Sequence, residues 1–162
     1  MQAASADVCS RVILGCFRVG DAHVALDVGQ VREVVRWQPV TPLPRAPALI
    51  EGVVDLRGAV VPVVDLGRVL SGRPVERGPQ ARIAVVEVDG LAMGLLVDDA
   101  IEVITVDGAA LEDPPALATQ SGYEATRAVL LRERATPIVV LSLEHVLERV
   151  YLSALPSGEA TP

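Results

Sequence analysis

The side chains in this sequence with the reactivity to act on a substrate or hold a metal are His23, His145, Cys9, Cys16 and the adjacent carboxylates Asp98-Asp99. Each would need partners. A metal centre needs several nitrogen, sulfur or carboxylate ligands at fixed spacing, and no HxH, HExxH or CxxC occurs. His23 falls in a hairpin near the start of the chain, and His145 on the polar face of a C-terminal helical stretch, so neither supports the other as base or ligand. Asp98 and Asp99 are neighbours on a strand, where successive side chains point to opposite faces. They read as a solvated turn rather than an acid–base pair. Cys9 and Cys16 read as reduced thiols, with Cys16 inside a strand. No GxSxG, GxxxxGK[ST] or GxGxxG is present. No residue is assigned to catalysis, a metal or a cofactor, and the chain reads as a non-enzyme.

The elements that must position any site are short and β-branched. Of the 162 residues, 51% are hydrophobic, 22% charged and only 2% aromatic, so the core has to be built from Val, Leu, Ile and Ala. Thirteen glycines and twelve prolines favour short strands with tight turns. The net charge is −7, and all 14 basic residues are arginine. This excludes the basic stripe that nucleic acid requires. The longest charge-free run, Pro114 to Tyr123, opens with two prolines and is too short to span a bilayer. Residues 1–10 lack the basic start and apolar run of a signal peptide, which points to a cytoplasmic protein.

The chain repeats itself. Residues 17–35 lie over residues 86–104 at a constant offset of 69 without a gap. Val19 falls on Val88, Leu26 on Leu95, Val28 on Val97, Glu33 on Glu102 and Val34 on Val103. Each copy reads as strand, turn, strand and a further strand, with Gly20-Asp21 and Asp89-Gly90 as hairpin turns. Looser likeness follows. Pro42-Leu43-Pro44 before Ala48-Leu49 answers to Pro114-Pro115 before Ala116-Leu117. Val60-Val61-Pro62-Val63-Val64 answers to Thr136-Pro137-Ile138-Val139-Val140, each with a helical tail. This gives two five-strand units of about 70 residues, small enough to need barrel closure and a shared core. Residues 1–11 read as a disordered leader, 12–152 as the domain and 153–162 as a flexible tail, with Ser142 capping a C-terminal helix through Tyr151.

The two copies differ where function is expected. The first carries Thr41-Pro42-Leu43-Pro44-Arg45-Ala46-Pro47, then Gly52-Val53-Val54-Asp55-Leu56-Arg57-Gly58, then Val60-Val61-Pro62-Val63-Val64-Asp65-Leu66. Gly52 and Gly58 bracket Leu56-Arg57, and the pattern predicts a tight strand entry that displays Arg57. In order and spacing this set resembles the CheW family, whose spine is P-L-P-x-A-P, G-V-[IV]-[ND]-L-R-G and V-[IV]-P-V-[IV]-D-L. The resemblance runs from Ile13 to Val150. It departs at Val24, where the family often has an aromatic, at Asp55, where Asn is common, and at Tyr123–Val129, where the second copy's Gly-Val has decayed.

The resemblance implies an all-β fold with a short C-terminal helix: two intertwined SH3-like five-stranded antiparallel β-barrels. It implies an adaptor that couples methyl-accepting-type chemoreceptors to the regulatory domain of a CheA-type histidine kinase. Such an adaptor is cytoplasmic, is recruited to membrane receptor arrays without inserting, and is expected to be a monomer by itself. The matching receptor-groove positions are Val28, Val31, Gly52, Leu56, Arg57 and Val97, which would hold the tip of a receptor's helical hairpin. Glu33 and Arg57 are implied to pair near the junction of the barrels. The repeat supplies Glu102 but no arginine at the matching place, so only the first copy is expected to form this pair. No receiver, phosphotransfer or ATP-binding domain is recognisable, which reads as a stand-alone adaptor. The same fold in a twitching, biofilm or developmental pathway is the alternative. A small β-barrel ligand-binding module or enzyme subunit ranks lower, because it predicts a pocket rich in titratable groups. Purified protein should neither bind nor hydrolyse ATP in equilibrium dialysis and phosphate-release assays; stoichiometric nucleotide on the purified chain would favour the enzyme-subunit alternative.

Overall fold

The computed structural model describes residues 10–114, 125–132 and 135–152. Cys9, most of the predicted leader, the Pro115–Leu117 stretch and the predicted tail lie outside the described residues. The strands are β1 (Arg11–Val19), β2 (Ala22–Asp27), β3 (Val31–Arg36), β4 (Ile50–Leu56), β5 (Ala59–Asp65), β6 (Arg82–Val88), β7 (Leu91–Val97), β8 (Asp99–Asp107), β9 (Leu111–Glu112), β10 (Thr126–Leu130) and β11 (Ile138–Leu141). Helix α1 (Leu66–Ser71) follows β5, and helix α2 (Leu143–Leu152) follows β11. Both predicted hairpin turns are present. β1 and β2 close with Val19 opposite Ala22, and β6 and β7 with Val88 opposite Leu91, which leaves Gly20-Asp21 and Asp89-Gly90 as two-residue turns. Positive φ at Gly20, Asp89 and Gly90 makes these the primed turns whose twist matches that of the strands.

The strands form a six-stranded sheet, β8-β1-β2-β11-β10-β9, and a five-stranded sheet, β3-β6-β7-β5-β4. Under the repeat, β1, β2 and β3 correspond to β6, β7 and β8, so the two orders are the same order apart from β9. The partners, however, are exchanged. The β1–β2 hairpin pairs with β8 and β11 from the second copy, and the β6–β7 hairpin pairs with β3 and β5 from the first. Each barrel is therefore one copy's hairpin completed by the other copy's strands. The barrels are intertwined, as the resemblance implies, and the two repeat copies of about 70 residues are not themselves the barrels. A hairpin leaves both its outer edges unpaired, and here the strands that fill them come from the distant copy. One pairing in each sheet, β2 with β11 and β5 with β7, is parallel rather than antiparallel. Parallel neighbours require a crossover, which this exchange supplies. The Thr41–Val53 bridge ties the segment after β3 to β4 at the opposite edge of its sheet.

Leu26 and Leu95, the repeat-matched leucines, are both fully buried. The larger apolar cluster runs through both barrels: Phe17, Val24, Leu26 and Leu141 from one meet Val63, Ile83, Leu95 and Val97 from the other, with Leu143, Val146 and Val150 of α2. A smaller cluster around Leu14, Cys16, Ala128, Ile138 and Val140 fills the six-stranded barrel. Burying a leucine of this kind contributes roughly 1.5–3 kcal/mol, and because both barrels draw on one cluster neither can lose it alone. Ser142 caps α2 as predicted: its hydroxyl oxygen accepts from His145 N at 3.4 Å, and its backbone oxygen accepts the first helical bond from Val146 N at 3.0 Å.

Two buried carboxyl groups hold the connection between β5 and β6, and the second of them also ties it to the other barrel. Asp65 is fully buried at the start of α1; it accepts from Arg68 N at 3.2 Å and Val75 N at 3.1 Å, and pairs with Arg77 at 3.3 Å. Burial pushes its carboxyl above the usual range, against the hydrogen bonds and the Arg77 charge that pull it down. Glu51 joins the same network through Arg68 and Arg77. Asp98 overturns the solvated-turn expectation: it is only 4% exposed, and it accepts from Gly20 N at 2.6 Å and Glu76 N at 2.7 Å. Val75 and Glu76 are thus pinned in succession, and Asp98 also grips the β1–β2 hairpin turn. Asp98 lies at the bend between β7 and β8, and its neighbour Asp99 opens β8 and is half-buried. Replacing Asp98 by Ala strips acceptors from both N–H groups and should lower unfolding stability by about 3 kcal/mol, measured by urea titration.

Candidate functional site: the cleft where the exchanged strands meet

The strands that change barrels, β3 and β8, are edge strands, and each carries a bulge at the same repeat position. In the β3–β6 ladder Val31 faces Val86 and Glu33 faces Val85, leaving Arg32 unpaired. In the β1–β8 ladder Phe17 faces Ala100 and Cys16 faces Glu102, leaving Ile101 unpaired. Arg32 and Ile101 are related by the offset of 69. A bulge turns the residues that follow it and bends the strand. Here the bends open a cleft of about 220 Å³ lined by Gly15, Cys16 and Phe17 of β1, Val28, Val31 and Val34, and Ala100 to Val103 of β8. Val34 and Ile101 are each 40% exposed and Val103 is 65% exposed, so large apolar side chains face solvent together. At the cleft's inner wall, burial pushes the Cys16 thiol pKa up, and the nearby Glu102 carboxylate adds to the effect.

The sequence-assigned groove residues divide into three groups. Val28 and Val31 line the cleft and are half-buried. Leu56 and Val97 are buried members of the shared core. Gly52 is buried against the Thr41 backbone, where a Cβ would come within 2.2 Å of the Thr41 carbonyl oxygen; the position tolerates no side chain. Arg57 stands apart at the β4–β5 turn, with φ of 52° followed by Gly58 at 89°, a type I′ hairpin. Asp55 steadies the turn by accepting from Gly58 N at 2.8 Å. Val34, Ile101 and Val103 were missed by sequence reasoning. The signal lay in the repeat itself, which matches Val34 with Val103.

Arg57 reaches Glu33 on β3, with Nη2 2.5 Å from Oε2. The two charges meet, but the expected inter-barrel pair is corrected: β3 and the β4–β5 turn belong to the same five-stranded sheet, so the pair lies within one barrel, and it is solvent-exposed, since the Arg57 side chain is 71% accessible. The hydrogen bond from Arg57 holds the Glu33 carboxyl below its usual range. The expectation that only the first copy forms such a pair is corrected. Glu102 pairs with Arg132, Nη1 to Oε2, at 3.4 Å. The constant offset points to Thr126 for this arginine, but Arg132 follows β10 as Arg57 follows β4. The second copy is longer between β8 and β10, so a gapless comparison could not find it. Of the histidines, His23 lies in β2, and His145 Nδ1 sits 2.9 Å from Ser142 Oγ at the cap of α2. Among the described residues no group of His, Cys, Asp or Glu is placed to hold a metal.

The lowered Glu33 pKa gives a signed prediction. A depressed carboxyl contributes stability above its unfolded pKa, of about 4.3, and loses it as pH falls through the folded value. Glu33→Gln should therefore melt below the native protein at pH 7, and the difference in Tm should vanish as pH falls toward about 3.

Comparison with known proteins agrees with this geometry. A family model described as CheW-like domain matches residues 14–150. A chemotaxis protein CheW of Rhizobium meliloti (strain 1021) is 38% identical over 117 residues, covering 72% of this chain and 76% of its own. Protein FrzA of Myxococcus xanthus is 38% identical over 62% of each chain. The crystal structure of the scaffolding protein TtCheW from Thermoanaerobacter tengcongensis superposes with a TM-score of 0.74 at 28% identity, covering 83% of this chain and 86% of that one. The exchanged double barrel, its repeated bulges and a family match across nearly all of the described residues lead to one conclusion: this chain belongs to the CheW-like domain family.

Proposed function

We propose that this protein is a chemotaxis adaptor, a non-enzymatic scaffold that couples methyl-accepting-type receptors to a CheA-type histidine kinase in signalling arrays. The observation that carries the reading is the apolar cleft between the exchanged strands, on a domain of the CheW-like family. An apolar trough bounded by two strands suits an amphipathic helix laid along it, with apolar anchors giving affinity and polar neighbours giving register. The tip of a receptor's helical hairpin is that helix. The contact centres on Val28 and Val31 with Val34, Ile101 and Val103, while Leu56, Val97 and Gly52 hold the surrounding walls in shape. Arg57 and Glu33 brace the β4–β5 turn against β3.

The kinase's regulatory domain uses an outer barrel face, since an adaptor must hold both partners at once. Weak contacts of both kinds, multiplied across an array, give avidity that neither has alone. The protein acts in the cytoplasm and is recruited to membrane-bound receptors; no helix among the described residues is long and apolar enough to cross a membrane. FrzA, a relative not named for chemotaxis, keeps a non-motility pathway as the second reading, but its match covers less of this chain than that of the chemotaxis protein from Rhizobium meliloti.

An unpaired carboxylate placed in the cleft loses hydration without gaining a partner. Val34→Asp, at an exposed position, should fold normally and weaken binding of a receptor hairpin-tip fragment by about ten-fold or more. Val31→Asp should weaken it further, and because Val31 also packs on the core its fold is checked by thermal melting. Affinity for the kinase regulatory domain should stay within about two-fold for Val34→Asp. Equal loss of both partners by folded Val34→Asp protein would sink the separate-surface arrangement.

A further inference from the structure

Glu33 and Glu102 occupy matched repeat positions, each one residue beyond a matched bulge, yet their surroundings differ. Glu33 is closed off: Arg57 approaches to 2.5 Å, and the neighbouring Arg32 adds a second positive charge. Glu102 is open. Its one ion pair, to Arg132, is 3.4 Å long, well beyond the roughly 2.7–2.9 Å of a good charge-assisted bond. That pair engages Oε2 alone, as the Glu33 pair does, so the two glutamates differ in the length of the bond and in exposure. The side chain is 44% exposed and, among the described residues, is the only charged group lining an otherwise apolar cleft. The Arg132 Nε is buried and makes no hydrogen bond among the described residues. A buried orphan donor costs about 1–3 kcal/mol, and a long, half-exposed ion pair does not offset it. Stability therefore does not account for Arg132 standing where it does. Orienting Glu102 at the rim of the cleft does.

We propose that Glu102 is a specificity-determining residue of the cleft, selecting a docking helix that carries an arginine or lysine beside its apolar anchor, and that Arg132 is the positioning residue that aims it. The inference rests on the cleft being the receptor site. Apolar side chains fill the trough formed with Val31, Val34 and Val103, but apolar contact alone sets neither register nor polarity of a helix. A single exposed carboxylate does, because only one register brings a cation to it. The net charge of −7 favours the same partner at long range. The repeat has thereby divided two tasks between matched glutamates: Glu33 braces the fold, and Glu102 reads the ligand.

The test is a titration of the full chain with a receptor hairpin-tip fragment that has an arginine or lysine within one helical turn of its apolar anchor. Glu102→Gln keeps the shape and removes the charge. It should fold as the native protein does, weaken binding by about five- to ten-fold and flatten the salt dependence of the affinity. Arg132→Gln should weaken binding less, and adding it to Glu102→Gln should cost nothing more, because its effect passes through the carboxylate. Glu102→Arg should bind poorly to the native fragment and regain affinity for a fragment whose cation is replaced by glutamate. A purely structural role would not produce that exchange. Native affinity for Glu102→Gln, in an assay where Val34→Asp weakens binding by about ten-fold or more, overturns the role of Glu102 and leaves the cleft intact. Native affinity for both variants overturns the cleft as the receptor site.

Discussion

Unpaired strand edges govern this molecule. A two-stranded hairpin is barely stable in water, and its outer edges offer backbone donors and acceptors with nothing to meet them. Each copy of the repeat contributes one such hairpin, β1–β2 or β6–β7, and in each case the flanking partners come from the other copy. Neither half can satisfy its backbone until both are present. The shared apolar cluster follows from the same exchange, since strands that cross between barrels carry their inward side chains with them.

Exchange of strands makes the chain cross between barrels at residues 28–30 and again at Asp98, and polar groups are buried at the second crossing and along the β5–β6 connection that packs on it. Asp65 receives the Val75 N–H and Asp98 receives those of Glu76 and Gly20. Such groups are expensive to bury alone and stabilising when fully hydrogen-bonded, so they tolerate one geometry and few others. They fix the connection, and through Gly20 they fix the first hairpin against it. Asp98 also immediately precedes β8, so the clamp fixes where that strand begins.

The cleft lies where the crossing strands bend. A bulge on each lets β3 and β8 turn outward with apolar residues uncovered, an arrangement that a regular edge strand would avoid. Exposed valine and isoleucine on an edge strand are an aggregation hazard unless something covers them. Both glutamates beyond the bulges are tied to arginines that follow repeat-related strands, tightly in one barrel and loosely in the other.

The sequence by itself determined the short β-branched strands, the positions of the two-residue hairpin turns, the equal burial of Leu26 and Leu95 and the cap at Ser142, because local turn chemistry and side-chain periodicity dictate these. It also determined the family, through an ordered motif set in which Gly52 must be glycine to lie against Thr41. Periodicity, however, records only which residues face inward, and says nothing of which strand lies alongside. Periodicity did not show the exchange of partners, which only the family resemblance implied, and the parallel pairings and the fate of Val97 and Leu56 as core rather than groove were decided by tertiary pairing. Asp98 looked like a turn residue because its two N–H donors come from residues 78 and 22 positions away. The Glu102–Arg132 pair was hidden for a related reason: a gapless offset compares positions along the chain, and only folding brings an arginine displaced along the sequence back to the matching place in space.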